Sequence, residues 1–499
     1  MQENRMKLER QGWGARPRAF QFSLLSLVLL GLSACANMSG IQSQAVIRDA
    51  SSLGLSVTQE PSKALGDHWW REFGDAQLNR LVEEAVATSP SLKLVQARMA
   101  RAQAGADVTA AASGPQLNAA IDLTHQKFTA NGAVPPPLAG SIRDSGTAQL
   151  AGSWEFDLFG KNRAALDASL GTVRAAQADA AAARMLLASS VARSYFQLLR
   201  LNEQLAVAQR LLAQRAQTLR LVQDRVNAGL DSQLELRQSE AGLPEARLQI
   251  ETLQEQLTLA RHALNALLGR PKVTQDLDVP LFKAIKSIAI DTEMPSDLLG
   301  RRADIAAARW RVEAATQDVS SARSQFYPNL NLTAFAGFSS IGLDRLLGAG
   351  SEQWGVGPEL RLPLFDGGRL RANLRGKAAD LDAAIESYNA AVIEAVREVA
   401  DQLASAQAVS RQQAEQRAAE RVADSAYGIA VQRYEAGLGN FLQVLTAETS
   451  VLSQRRQKVD LAARALDTQV ALIRALGGGY RAELPMWMAT ATATATAQK

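Results

Sequence analysis

The stretch Gln149-Leu150-Ala151-Gly152-Ser153-Trp154-Glu155-Phe156-Asp157-Leu158-Phe159-Gly160-Lys161 decides the fold. Leu150, Trp154, Phe156 and Leu158 fall on one side, and Ala151, Ser153, Glu155 and Asp157 on the other. A period of two with unlike sides marks a strand set between two different surroundings. A helix far longer than a globular domain needs follows it. From Lys161 to Asn227 there is no proline and only one glycine, Gly171, and good helix formers dominate. At 1.5 Å per residue this run makes a rod of about 100 Å. Ala228-Gly229-Leu230 stops it, Gly229 being free to take the left-handed turn.

The arrangement then returns. Arg225-Val226-Asn227-Ala228-Gly229-Leu230 reappears as Arg433-Tyr434-Glu435-Ala436-Gly437-Leu438, 208 residues on (225 to 433). Leu267-Leu268-Gly269 reappears as Ala475-Leu476-Gly477 at the same spacing. Gly114-Pro115-Gln116-Leu117-Asn118 matches Tyr327-Pro328-Asn329-Leu330-Asn331 at 213 (114 to 327). Three ordered anchors at nearly constant spacing mean a tandem duplication. The first repeat is expected over 67–270, a linker over 271–294 and the second repeat over 295–480. A tail over 481–499, ending in an Ala-Thr run, is expected to be disordered.

In the first repeat the pattern predicts helices 76–88 and 91–112, with Asp75 as N-cap and Pro90 in a first turn. Strands at about 116–125 and 149–159 follow, separated by an exposed loop over 126–147. The long helix 161–227 leads to a helix at about 232–268, broken or bent near Pro244. The second repeat repeats the scheme with strands at about 329–338 and 354–364, a long helix 369–436 and a helix 440–476. Each strand has one apolar face and one polar or small face, as a membrane β-barrel with a wet interior requires. A soluble sandwich would need more strands than this chain has. Four strands cannot close a barrel, and lipid does not tolerate an open edge, so they must close with strands of other copies. Two copies supply eight strands; three supply twelve, enough for a lumen, and three is the expectation.

The N-terminus carries Arg5, Lys7, Arg10, Arg16 and Arg18 before an apolar run from Phe20 to Gly31. That run is too short to cross a bilayer and has the flanks of a signal peptide, here 1–34. Leu32-Ser33-Ala34-Cys35 resembles a bacterial lipobox, and Cys35 is the chain's one cysteine. Cleavage there would leave a lipidated Cys35 on an extended tether, 35–66; the plainer alternative is an ordinary signal peptide and a stray cysteine. Ala36, where inner-membrane lipoproteins often carry Asp, favours the outer membrane by resemblance. The net charge is +4, but five basic residues and two acids (Glu3, Glu9) belong to the leader, leaving the rest near +1. No argument for nucleic acid survives.

Catalytic chemistry is hard to find. His68, His125 and His262 lack metal spacing, and no phosphate loop, nucleophile elbow or H-E-x-x-H occurs. Acids and bases such as Glu394, Arg397, Glu398 and Asp401 pattern a solvated helix face. The expectation is a non-enzyme without cofactor. The paired Trp69-Trp70 could form a carbohydrate platform, but burial against the helices is the preferred reading.

Several stretches together resemble one family. They are the lipobox, Trp69-Trp70-x-x-Phe73-x-Asp75, Trp154-Glu155-Phe156-Asp157-Leu158-Phe159-Gly160, Leu362-Pro363-Leu364-Phe365-Asp366-Gly367-Gly368 and Arg433-Tyr434-x-x-Gly437. They look like the TolC-like outer-membrane channels of tripartite efflux systems, in the lipoprotein (NodT-type) branch. The resemblance implies a mainly α protomer with a small β part. Its four strands would join a homotrimeric twelve-stranded outer-membrane barrel, continued by a long α-helical barrel into the periplasm. A periplasmic adaptor and an inner-membrane pump would be the partners, and small molecules or drugs the cargo. The duct of a protein-secretion system shares the architecture. A periplasmic coiled-coil adaptor lipoprotein would lack the four two-faced strands.

In that family the helix–helix turns form the periplasmic tip. Here they are Asn227 to Ser232 and Glu435 to Asn440, so the resemblance makes Arg225, Gly229, Leu230, Arg433, Tyr434, Gly437 and Leu438 the adaptor contact. The family often carries acids six and nine residues after the second tip glycine. Here Gln443 and Thr446 stand there, whereas Glu235, six residues after Gly229, is acidic. Glu235, Gln443 and Thr446 are the gate candidates.

Overall fold

The computed structural model describes residues 38–48, 66–270, 282, 285, 286, 288 and 298–480. The leader, Cys35, the tail and most of the linker lie outside the described residues. The helices are α1 (Ala76–Thr88), α2 (Pro90–Ala112), α3 (Lys161–Asn227), α4 (Gln233–Leu267), a single turn Leu298–Arg301, α5 (Ala303–Ser324), α6 (Arg369–Glu435) and α7 (Phe441–Ala475). The strands are β1 (Gln116–Lys127), β2 (Ile142–Phe156), β3 (Asn329–Ile341) and β4 (Glu352–Arg361). The chain forms two compact units, and each takes segments from both repeats.

The first unit holds the sheet, an antiparallel meander in the order β1-β2-β3-β4. Its register stacks the apolar residues of all four strands. Leu117 pairs with Gly152, Gly152 with Ala334 and Ala334 with Val356. Ala119, Leu150, Ala336 and Trp354 make the next row, while Trp154, Leu332 and Pro358 make the row on the other side. Gln149, Thr147, Thr333 and Gln353 occupy the opposite face, where Gln353 donates to Gln149 at 3.2 Å and Thr333 to the Gly357 carbonyl at 3.2 Å. Phe335 is the exception there. Its ring occupies the space beside Gly355, where a Cβ would come within 2.7 Å of it.

Several strand boundaries differ from expectation. β2 begins at Ile142 rather than near 149, and β1 runs on to Lys127, because Lys127 still pairs with Ile142. The loop between them shrinks accordingly. β2 stops at Phe156 because Asp157 turns to cap α3, accepting the Arg163 N–H at 2.8 Å, and Gly160 takes a φ of 74°. β4 stops at Arg361 because Pro363 has no N–H to give, and Asp366 then caps α6 through Gly368 and Leu370 at 2.9 and 2.8 Å. Leu158, Leu362 and Leu364 therefore lie beyond the strands. Within this unit Ser43 and the Gln44 N–H both donate to Asp382, at 2.6 and 2.8 Å, fastening part of the tether to α6.

The second unit holds the helical core. Trp69, Trp70 and Phe73 are buried with Leu78, Leu81 and Val82 of α1, against Tyr195, Phe196 and Leu199 of α3. The tryptophans are core, as the preferred reading had it. Asp75 caps α1 through Gln77 and Leu78 at 2.7 and 3.1 Å, and its second oxygen accepts the Tyr195 hydroxyl at 2.8 Å. A buried cap of this kind anchors helix start and core together. Gly171, the one glycine in α3, marks the crossing with α5, where an added Cβ would stand 3.0 Å from Ala314. Arg302 is also buried, gripping Asp304 at 2.6 and 3.0 Å, Glu398 at 2.8 Å and the Ala475 carbonyl at 3.2 Å. It ties the start of α5 to α6 and to the end of α7. Pro244 does not break α4, which is one helix throughout.

Candidate functional site

The two helix–helix turns, those expected at the tip, are built alike. In the first, Gly229 has φ 73° and the Leu230 N–H returns to the Arg225 carbonyl at 2.9 Å; in the second, Gly437 has φ 71° and Leu438 returns to Arg433 at 2.8 Å. Such six-to-one bonds with glycine in the left-handed region end a helix cleanly. Each following helix is then capped. Ser232 and Glu235 form a reciprocal capping box, the Ser232 N–H donating to Glu235 at 2.9 Å and the Leu234 N–H to the Ser232 hydroxyl at 3.1 Å. Asn440 accepts the Gln443 N–H at 3.1 Å.

This places the three gate candidates. Glu235 and Gln443 occupy the same position in the duplicated turn, three residues into the helix. The Ser232 hydroxyl, followed by the backbone N–H groups of Glu235 and Ser232, holds the Glu235 carboxyl below the usual carboxylate range. Glu235 is not paired with Arg433, whose guanidinium donates to the Leu438 carbonyl at 3.0 Å. Thr446 is exposed and donates back to the Leu442 carbonyl at 2.8 Å.

A residue not singled out in the sequence joins the two turns. Asp231 accepts from Arg225 at 3.0 and 3.4 Å and, with its Oδ2, from the Tyr434 hydroxyl. The Arg225 guanidinium also lies 4.5 Å from the centre of the Tyr434 ring, a cation–π contact. Burial alone would raise the Asp231 carboxyl, but the hydrogen bonds from Arg225 and Tyr434 outweigh it and leave it low. Burial, reinforced by the bond to Asp231, pushes the Tyr434 phenol up. Tyr434 is buried with Val222, Phe441 and Val444 in a small apolar cluster beneath the turns. Arg225 and Tyr434 thus hold the tip from inside, while Leu230 and Leu438 present exposed side chains at its end.

Further along the same helices a second charged knot ties α3 to α4 and α7. Arg215 donates to Glu448 at 3.1 Å, to the Gly242 carbonyl at 2.7 Å and to Glu245 at 3.3 Å. Burial pushes the Glu448 carboxyl up despite Arg215 beside it. Among the described residues no cluster of His, Cys, Asp or Glu could hold a metal, and no helix is long and apolar enough to cross a membrane.

The sheet offers a different surface. From Phe156 to Gly146 the apolar face of β2 runs roughly 34 Å along the strand at about 3.4 Å per residue. With the tilt of about 40° usual in membrane barrels, that gives a band of about 25 Å, the height of the lipid-facing band. The Trp154 and Phe156 rings lie 4.6 Å apart, tilted at 46°, at one end, and Trp354 lies in the row of Leu150. Among the described residues β1 and β4 pair on one side only, leaving unpaired backbone at the two edges.

Comparison with known proteins accords with this geometry. The outer membrane efflux protein family model matches residues 81–270 and 294–478. The chain is 32% identical to the multidrug resistance outer membrane protein MdtQ of Escherichia coli O6:H1 over 421 residues, 83% of this chain and 88% of MdtQ. It is 33% identical to MdtP of the same strain, over 83% of this chain and 86% of MdtP. The crystal structure of the outer membrane protein VceC from Vibrio cholerae superposes with a TM-score of 0.78 and 37% identity, over 84% of this chain and all of VceC. The duplicated hairpins, the four two-faced strands and these matches lead to one conclusion: the chain belongs to the outer membrane efflux protein family.

Proposed function

We propose that three copies of this chain close a twelve-stranded barrel and form a passive duct through which an inner-membrane pump, joined by a periplasmic adaptor, expels small molecules or drugs. As a member of its family the chain is the outer-membrane component of an efflux system. The trimer, the partners and the cargo are our reading. The observation that carries it is the sheet, which has a continuous apolar face, a polar face and two open edges. Open edges in lipid cost several kcal/mol for each unsatisfied backbone group, so the sheet must find further strands. The relatives named for multidrug resistance support drugs or other small molecules as cargo.

In this reading Gly229, Leu230, Gly437 and Leu438 meet the adaptor, Arg433 flanks them, and the Arg225–Asp231–Tyr434 latch keeps the resting tip narrow. Cys35 carries the lipid anchor. Purified protein in a planar bilayer should give small resting conductance steps that grow when the latch is cut. Protein that inserts yet conducts nothing in either form would contradict the duct.

Glu235→Gln separates charge from capping, because glutamine serves in a capping box as glutamate does. If three Glu235 side chains ring the mouth, the variant should lose cation preference, and the ionic-strength dependence of that preference should weaken. Its thermal midpoint should hardly move. Unchanged selectivity in single-channel recordings would remove Glu235 from the pore. Gln443→Asp and Thr446→Asp should raise cation preference.

A further inference from the structure

The apolar face of the sheet is ragged at the end away from the helices, and one loop fills the missing corner. On β1 and β2 the face continues to Leu123 opposite Gly146. On β3 and β4 it ends earlier, since Ser340 stands opposite Gly146 and Glu352 opposite Phe338. The connection from β3 to β4 contains the short turn Leu343–Arg345. Gly146 lacks a side chain on the apolar side; a Cβ there would meet Leu346 at 3.0 Å, Leu343 at 3.1 Å and Leu123 at 3.2 Å. The loop therefore folds back over the apolar face, not over the polar one.

That fold-back is pinned by hydrogen bonds. The Gly342 N–H donates to the Asp144 carbonyl at 2.7 Å, the Ser351 hydroxyl to the Arg345 carbonyl at 2.8 Å, and the Ser339 N–H to the Ser351 carbonyl at 2.8 Å. Leu347, next in line, is 76% exposed. Charge begins at the same level: Asp344 and Arg345 are exposed on the loop, and His125 meets Asp144 at 2.6 Å one row beyond Leu123.

We propose that the loop from Gly342 to Ser351 is a membrane anchor whose Leu343, Leu346 and Leu347 complete the apolar band and enter the acyl chains of the outer leaflet. Asp344 and Arg345 then stay at headgroup level, the usual division of an interfacial segment. Acyl chains are the fitting occupant because the three leucines continue the rows already assigned to lipid, with a polar rim immediately beyond. The inference rests on the reading that this face meets lipid, and the test keeps the two apart. Nitroxide labels are placed by Leu347→Cys, Leu343→Cys, Leu332→Cys and Asn331→Cys in protein reconstituted into phospholipid vesicles. The native chain, with its one cysteine, serves as the blank. Power saturation with oxygen and with a water-soluble nickel chelate should give severalfold higher oxygen-to-nickel accessibility at 347, 343 and 332 than at 331. Lipid exposure at 332 with nickel exposure at 347 and 343 would overturn the anchor alone. Labels at 347 and 343 shielded from both reagents would place the loop against protein and also overturn it. Nickel exposure at all sites would overturn both readings.

Discussion

Leu150→Arg is expected to cost about 2–4 kcal/mol per copy and to empty the outer-membrane fraction of assembled protein. Leu150 stands in the middle rows of the apolar band, between Ala119 and Ala336, where an arginine has neither water nor partner. Depth decides the size of the effect. Leu360, in the end row with Leu330 and Phe156, should tolerate arginine at about 0–1 kcal/mol because the guanidinium reaches the headgroups. Asn331→Arg, on the polar face, should be tolerated regardless of depth. Heat-modifiable migration of each variant from outer-membrane fractions reads the order directly. Equal effects at Leu150 and Asn331 would refute the assignment of the two faces.

Asp231→Ala is the second large effect. It leaves the half-buried Arg225 guanidinium without its carboxylate and strips the Tyr434 hydroxyl of its acceptor. Breaking a fully buried pair from one side costs about 3–5 kcal/mol; this half-buried pair should cost somewhat less, spent on the packing of one turn against the other. Resting conductance should rise, with less rise in Tyr434→Phe, which loses one hydrogen bond to a charged group at about 1.5–3 kcal/mol. The pH dependence follows from the sign of the shift. The Asp231 carboxyl is held low in the folded tip, so the latch is at full strength above the ordinary aspartate value of about 3.9. It weakens only as pH falls through the depressed folded value. Conductance of the native protein should therefore stay flat from about pH 5 to 8 and climb only in stronger acid. A rise centred near neutrality would assign the gate to another group.

The helices were largely legible because their signals are local. Proline-free runs of helix formers end at Gly229 and Gly437, and both glycines take positive φ. The faces of the strands were legible from alternation, but their ends were not. β2 starts at Ile142 because Lys127 is there to pair with it, and nothing in the polar run Arg143-Asp144-Ser145 announces a strand. Asp231 was illegible for a similar reason. Its partner Tyr434 lies in the other repeat, and only folding brings the two together. Glu235 is different: Ser232-Gln233-Leu234-Glu235 is the sequence signature of a capping box, so its structural role is legible locally, whereas its candidacy for the gate rests on resemblance. Arg302 carries no local signal of its role, because its grip on Glu398 and the Ala475 carbonyl exists only once the fold brings them together.

One copy has too few strands to close a barrel, so three copies are expected to share it. Native mass spectrometry of the complex released intact from outer membranes tests it most directly. The mass of three chains, with no folded species at one, is the predicted result. A stable single chain whose strand amides resist hydrogen exchange would contradict it.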